Sequence, residues 1–170
     1  MGLFENRDDW QKFVMREKML SIGDDFWIEN DNGDKIYKVD GKAMRLRDTF
    51  VLEDANGKEV AHIQERKISI RDKMTIERNG EELADVHKAL VGIRDRFDID
   101  LAAGGELKAK GNVLEHHYEI KHDGDVVAEI SKKWIRVRET YGVEIAPAMD
   151  APLILAITVA IDKLAEGALE

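Results

Sequence analysis

The octet Leu46-Arg47-Asp48-Thr49-Phe50-Val51-Leu52-Glu53 does not stand alone. It returns as Ile70-Arg71-Asp72-Lys73-Met74-Thr75-Ile76-Glu77 and as Ile93-Arg94-Asp95-Arg96-Phe97-Asp98-Ile99-Asp100. A further copy is Val137-Arg138-Glu139-Thr140-Tyr141-Gly142-Val143-Glu144. Weaker copies start at Ile22 and Leu114, so six starts are separated by steps of 24, 24, 23, 21 and 23 residues. A period of this size marks one supersecondary unit repeated along the chain. In each copy a large apolar residue is followed two places later by an aliphatic one, as in Phe50 and Leu52. Residues two apart share a face of a β-strand.

Most copies then run into a turn: Asn32-Gly33, Asn56-Gly57, Asn79-Gly80, Gly104-Gly105 or Asp123-Gly124. Such pairs accept the positive φ angles of tight hairpins. A second alternating run follows, such as Val60-Ala61-His62-Ile63 or Val126-Val127-Ala128-Glu129-Ile130. Each unit therefore reads as a hairpin, and six units predict about twelve antiparallel strands. The recurring Arg-Asp pair is a structural corner in this reading, its acid accepting backbone N–H bonds, because an active site occurs once rather than at every hairpin.

Beyond the repeats, Leu153-Ile154-Leu155-Ala156-Ile157-Thr158-Val159-Ala160-Ile161 is apolar nearly all round. Asp150 fits an N-cap, Pro152 the first turn and Gly167 a stop. A helix apolar on every side is buried or in a membrane, and this run is short for a bilayer. The expected fold class is mostly β with one buried helix: about twelve antiparallel strands closed into a barrel around the hydrophobic C-terminal helix. One domain would span 1–170, with hairpin repeats over 18–147 and the central helix over 150–166. Residues 1–17 are expected to form a short N-terminal helix that plugs one end, with Asn6 as cap and Trp10, Phe13 and Val14 on one face.

The 170 residues are 44% hydrophobic and 36% charged, suiting a single globular core. Asp and Glu outnumber Lys and Arg by 35 to 26, a net charge of −9 that argues against nucleic acid as partner. With no cysteine, disulfides, thiolate catalysis and Cys-ligated metals are excluded. No secretory signal and no transmembrane segment is read, so the expected setting is cytoplasmic.

Several stretches together carry a family likeness. They are Leu20-Ser21-Ile22-Gly23-Asp24-Asp25-Phe26-Trp27-Ile28, Tyr37-Lys38-Val39-Asp40-Gly41-Lys42-Ala43, Leu46-Arg47-Asp48-Thr49-Phe50, Ser131-Lys132-Lys133-Trp134 and the closing helix. On these the chain resembles the LURP-one-related family over about residues 10–166. The resemblance implies a tubby-like fold of twelve strands around a central C-terminal helix. It also implies, through distant tubby relatives that bind phosphoinositides on the barrel wall, a class of ligand without a residue-by-residue map.

The strongest surface feature is Lys132-Lys133-Trp134-Ile135-Arg136-Val137-Arg138. With Ile135 and Val137 facing the core of a strand, Lys132, Trp134, Arg136 and Arg138 form an outward stripe suited to anionic lipid headgroups. The competing reading is a solvated strand whose cations pair with neighbouring acids. A second cluster, Arg66, Lys67, Arg71 and Lys73, is interleaved with Glu65 and Asp72. The five histidines have no metal-ligand spacing, and the calcium-loop pattern fails because Ile28 holds the position that needs Asp. No phosphate loop or nucleophile elbow is present, so no catalytic residue, cofactor or metal is expected. The reading is a non-enzymatic binding module that recognises anionic phospholipid headgroups as a peripheral membrane protein. The alternatives are a protein-interaction scaffold with no lipid ligand and, more remotely, an unrecognised hydrolase built on paired carboxylates.

Overall fold

A computed structural model describes residues 7–17, 25–40, 49–68, 71–89 and 96–167. Its strands are β1 (Gln11–Arg16), β2 (Phe26–Asn30), β3 (Lys35–Asp40), β4 (Thr49–Asp54), β5 (Glu59–Ile68) and β6 (Arg71–Arg78). They continue as β7 (Glu81–Lys88), β8 (Arg96–Leu101), β9 (Glu106–Asn112), β10 (His117–His122), β11 (Asp125–Ser131) and β12 (Thr140–Ile145). These twelve antiparallel strands close into a barrel in sequence order, with β1 between β2 and β12. One helix among the described residues, α1 (Ala151–Gly167), follows β12 and fills the interior.

The repeat maps onto the even-numbered strands. Its paired apolar positions are Phe26 and Ile28, Phe50 and Leu52, Met74 and Ile76, Phe97 and Ile99, Tyr118 and Ile120, and Tyr141 and Val143, all of them buried. Directly after the buried aliphatic residue the register slips in four copies, at Ile28/Glu29, Leu52/Glu53, Ile76/Glu77 and Ile120/Lys121. A bulge strengthens local twist, and its repetition around the wall helps the sheet to curl closed. Tight turns follow: Asn79-Gly80 and Asp123-Gly124 both have positive φ at each residue (54° and 81°, 51° and 86°), the geometry that matches the twist of the flanking strands.

The sixth unit departs from the pattern, and so does the N-terminus. No return strand follows β12, because the chain passes into α1. The missing partner comes from the other end of the sequence: β1 pairs with β12 over six residues, from Gln11↔Ile145 to Arg16↔Thr140. The helix expected within residues 1–17 is thus corrected for Gln11–Arg16, which is the strand that closes the barrel. Phe13 and Met15 point inward and Val14 does not, a period of two rather than of 3.6. A short isolated helix gains little in water, whereas this segment completes the ladders of two otherwise open edges. The proposed cap Asn6 lies outside the described residues. So do two of the four Arg-Asp corners, at 46–48 and 93–95; Arg71-Asp72 opens strand β6, and in Arg138-Glu139 the second residue takes a φ of 60°.

The expected central helix is present. The Leu153 N–H donates to Asp150 Oδ1 at 3.1 Å, and Arg78 forks onto both Asp150 oxygens at 2.7 and 3.0 Å. Burial pushes the Asp150 carboxyl up, but Arg78 and the Leu153 N–H outweigh it and hold the carboxyl below its ordinary value. Ile154, Leu155, Ala156, Ile157, Val159, Ala160 and Ile161 are fully buried against the inward rows of the wall. Each large aliphatic side chain among them contributes about 1.5–3 kcal/mol of transfer free energy.

Strand direction gives the barrel two unlike ends. Connections from even to odd strands are the short glycine turns, and the start of α1 lies with them. The odd-to-even connections leave from the opposite end, which carries 113–116 between β9 and β10 and 132–139 between β11 and β12.

Candidate functional site

The stretch 132–139 is the connection between β11 and β12, not a strand. β11 ends at Ser131, whose register partner on β12 is Gly142. The chain must therefore reverse direction between them, and the alternating pattern that resembled a strand is spent on the reversal. The Ile135 N–H donates to the Lys132 carbonyl at 3.2 Å, and the Thr140 hydroxyl to the Val137 carbonyl at 2.7 Å. The outward stripe is accordingly redistributed over a loop, and Val137 does not face the core: it is 66% exposed.

The four residues singled out in sequence take different roles. Lys132 ion-pairs with Glu17. Trp134 packs against β12, so close that a Cβ at Gly142 would overlap an indole carbon. The repeat explains this contact. The residue between the two inward positions is Trp27, Val51, Thr75, Asp98 or Glu119 in the other copies, and a glycine there leaves room for the Trp134 ring on the outer wall. The Lys12 ammonium stands 5.7 Å from the Trp134 ring centroid. Arg136 and Arg138 are exposed, flank Val137, and form no ion pair among the described residues.

Beneath the same end lies a polar cluster that sequence reasoning missed. Asp162, on the otherwise apolar helix, accepts a 2.5 Å hydrogen bond from the Tyr141 hydroxyl. His116 stacks on Tyr141 with ring centroids 4.0 Å apart, and its Nε2 is 3.5 Å from Asp162 Oδ1. The Tyr118 hydroxyl is turned toward Thr158 but lies outside strict hydrogen-bond geometry. Burial, reinforced by the Asp162 charge, pushes the Tyr118 and Tyr141 phenols well above their ordinary value. The signal in sequence was Asp162 itself, a carboxylate one turn beyond Thr158 on the buried face. The histidine partner could not be read, because His116 is in a turn (φ 57°) rather than in a strand.

Two concavities lie on the outer wall, and the smaller reaches the loop at Lys133. One, of about 250 Å³, is lined by residues including Gly111, Glu129, Ser131 and Lys133. The other, of about 560 Å³, is lined chiefly by Arg96, Lys108, Lys110 and Lys121, and Lys110 belongs to both. Lys108-Ala109-Lys110 alternates charged and apolar residues in the sequence, but its cationic neighbours come from strands on either side and cannot be assembled by eye. In the second sequence cluster, Arg66 and Lys73 are paired with Glu77 at 3.3 Å and Asp85 at 3.4 Å. The side chains of Lys67 and Arg71 lie outside the described residues. Among the described residues no group of three His, Cys, Asp or Glu side chains is placed to hold a metal ion, and no helix is long and apolar enough to cross a membrane.

A family model described as LURP-one-related matches residues 11–162. No curated protein matches the chain. Among solved structures, the chain is similar to the X-ray structure of a protein from Arabidopsis thaliana, at 20% identity and a TM-score of 0.66 over 91% of each chain. At that identity the likeness concerns the fold.

Proposed function

The chain belongs to the LURP-one-related family, and from that premise we propose that it is a non-enzymatic binding module that docks on anionic phospholipid surfaces with the loop-bearing end of its barrel. One observation carries the reading. The exposed large hydrophobic residues among those described, Leu114 at 49% and Val137 at 66%, stand on the two described connections of the same end. Val137 is set between Arg136 and Arg138. An apolar side chain bracketed by unpaired guanidinium groups combines shallow insertion with attraction to anionic headgroups, at about 1 kcal/mol per basic residue near the surface. Trp134, held on Gly142, stiffens the base of this tip, and Lys132 anchors it to Glu17. The contact set is thus Arg136, Val137 and Arg138, with Trp134 and Lys132 in support.

Co-sedimentation with phosphatidylserine-containing and neutral vesicles tests the proposal at low and physiological salt. Selective binding to the anionic vesicles is expected, weakened at least about tenfold by Arg136→Glu with Arg138→Glu and also weakened by Val137→Ser. Binding that the double variant leaves intact, or no vesicle binding by the parent chain, would overturn it. In the latter case the exposed pair becomes the place to seek a protein partner.

A further inference from the structure

The wall groove on β8, β9 and β10 holds cations facing cations. In the register, Lys108 is directly opposite Lys121, and Lys110 is directly opposite Arg96. All four side chains leave the outer face, because the intervening Leu107, Ala109, Phe97 and Ile120 are buried. Directly opposed residues have Cβ atoms about 4.5–5.5 Å apart, and like charges there are destabilising by up to about 1 kcal/mol. The two pairs are diagonal to one another, because Lys108 has Asp98 opposite it on its β8 side and Lys110 has Glu119 opposite it on its β10 side.

Local acids neutralise the arrangement only in part. Arg96 is 3.8 Å from Asp98, and Lys108 is 3.6 Å from Glu106. Lys110 and Lys121 form no ion pair among the described residues. Asp123, at the rim, is engaged instead by His122 at 3.6 Å. The groove is therefore lined by four cations and two carboxylates, Glu106 and Asp123. Lys108 and Lys110 are about 7 Å apart along β9, and the two cation pairs are further offset by one strand spacing of about 5 Å.

We propose that this groove is a binding site for a small polyanion carrying at least two phosphate groups, one between Lys108 and Lys121 and the other between Lys110 and Arg96. A bridging phosphate turns each repulsive cross-strand pair into two charge-assisted contacts. Two phosphates on one ligand engage both pairs through the reach of the long Lys and Arg side chains, whereas a single phosphate satisfies only one pair. The site is distinct from the Arg136–Arg138 tip, and it stands whether or not that tip meets lipid. The phosphate groups could belong to a soluble oligophosphate or to a phosphorylated lipid headgroup; both present the same chemistry to the four cations.

Calorimetric titration of the full chain with inorganic tripolyphosphate, beside inorganic phosphate, tests the site at physiological salt. Tripolyphosphate is expected to bind at least tenfold more tightly than phosphate and to lose that advantage in Lys108→Gln with Lys121→Gln. Removing the opposed charges should leave the unliganded variant's melting temperature unchanged or higher, so lost binding is not lost folding. Arg136→Gln with Arg138→Gln should bind tripolyphosphate like the parent chain, which separates failure of this site from failure of the membrane tip. Vesicles containing a lipid whose headgroup bears two phosphate monoesters then identify the source. Vesicle binding lost in the groove variant assigns the phosphates to a lipid headgroup, and a parent chain that binds tripolyphosphate but gains nothing from that lipid assigns them to a soluble ligand. Equal affinity for the two phosphates, or a tripolyphosphate affinity unchanged in the groove variant, would overturn the proposal.

Discussion

The two ends of this barrel are built on different physics. At the turn end the hairpin connections are only two or four residues long, two of them with both residues at positive φ, and Arg78 clamps Asp150 where the helix begins. At the other end the helix presents a carboxylate, Asp162, under a stacked histidine–tyrosine pair, and the connection above it carries an exposed valine between two arginines. One end spends its residues on local geometry. The other arranges its polar groups in two layers, a buried layer that fixes the helix and an exposed one available to a partner. The contrast teaches that recurrence and chemistry separate in space: what the repeat dictates everywhere is the turn, and what it leaves free is the opposite rim.

The broadest way to break the comparison removes what both ends share. Deleting residues 150–170 strips the core of Ile154, Leu155, Ile157, Val159 and Ile161. The expected outcome is an insoluble chain with no cooperative melt, read by sedimentation and circular dichroism. A soluble truncation with a sharp transition would mean that the sheet sustains itself without the helix.

Next in size are lesions of the buried layer. Asp162→Ala leaves the Tyr141 hydroxyl without its acceptor and should cost about 1–3 kcal/mol in chemical denaturation. The same layer sets an alkaline limit. The phenols of Tyr118 and Tyr141 are raised in the folded state, so the unfolded chain releases their protons first as pH rises. Their contribution is complete below about pH 10, the ordinary tyrosine value, and is lost as pH climbs from there toward the raised folded values. A melting temperature that falls above pH 10, and falls less steeply in Tyr141→Phe, is the expected profile.

At the turn end, Arg78→Ala removes the fork on Asp150 and should cost about 1–2 kcal/mol without altering binding to vesicles or tripolyphosphate. The smallest stability effect is expected at the exposed tip. Arg136→Gln with Arg138→Gln should change unfolding free energy by less than about 0.5 kcal/mol, while vesicle binding falls. A large loss of stability there would place the tip in the structural layer and remove the contrast.

What could be read in advance follows the same division. Phe50 with Leu52 and Asn79 with Gly80 are local signals, decided by neighbours two places apart, and they carried the strands, the turns and the buried helix. Gln11–Arg16 misled because six residues fit either period, and its partner Thr140–Ile145 lies far along the chain. Lys132–Arg138 misled because a reversal can alternate like a strand; only the pairing of Ser131 with Gly142 reveals it. The groove cations were invisible for a third reason. Arg96, Lys110 and Lys121 are unremarkable separately, and their opposition exists only in the register.

The junction of β1 with β12 also bears on how the molecule is made. A nascent chain leaves the ribosome from its N-terminus, so β1 waits while ten further strands are translated, and its second partner arrives only with β12. The helix that fills the interior is later still. Until that moment the growing sheet has an unpaired edge on either side and an apolar face with nothing against it, the condition in which β-rich intermediates aggregate. Closure of the wall and filling of the core therefore follow one another closely in synthesis, because β12 and α1 are consecutive. The high sequence separation of that last pairing predicts slow folding for the chain's size, and a transient need for chaperones that ends abruptly once the C-terminal helix clears the exit tunnel.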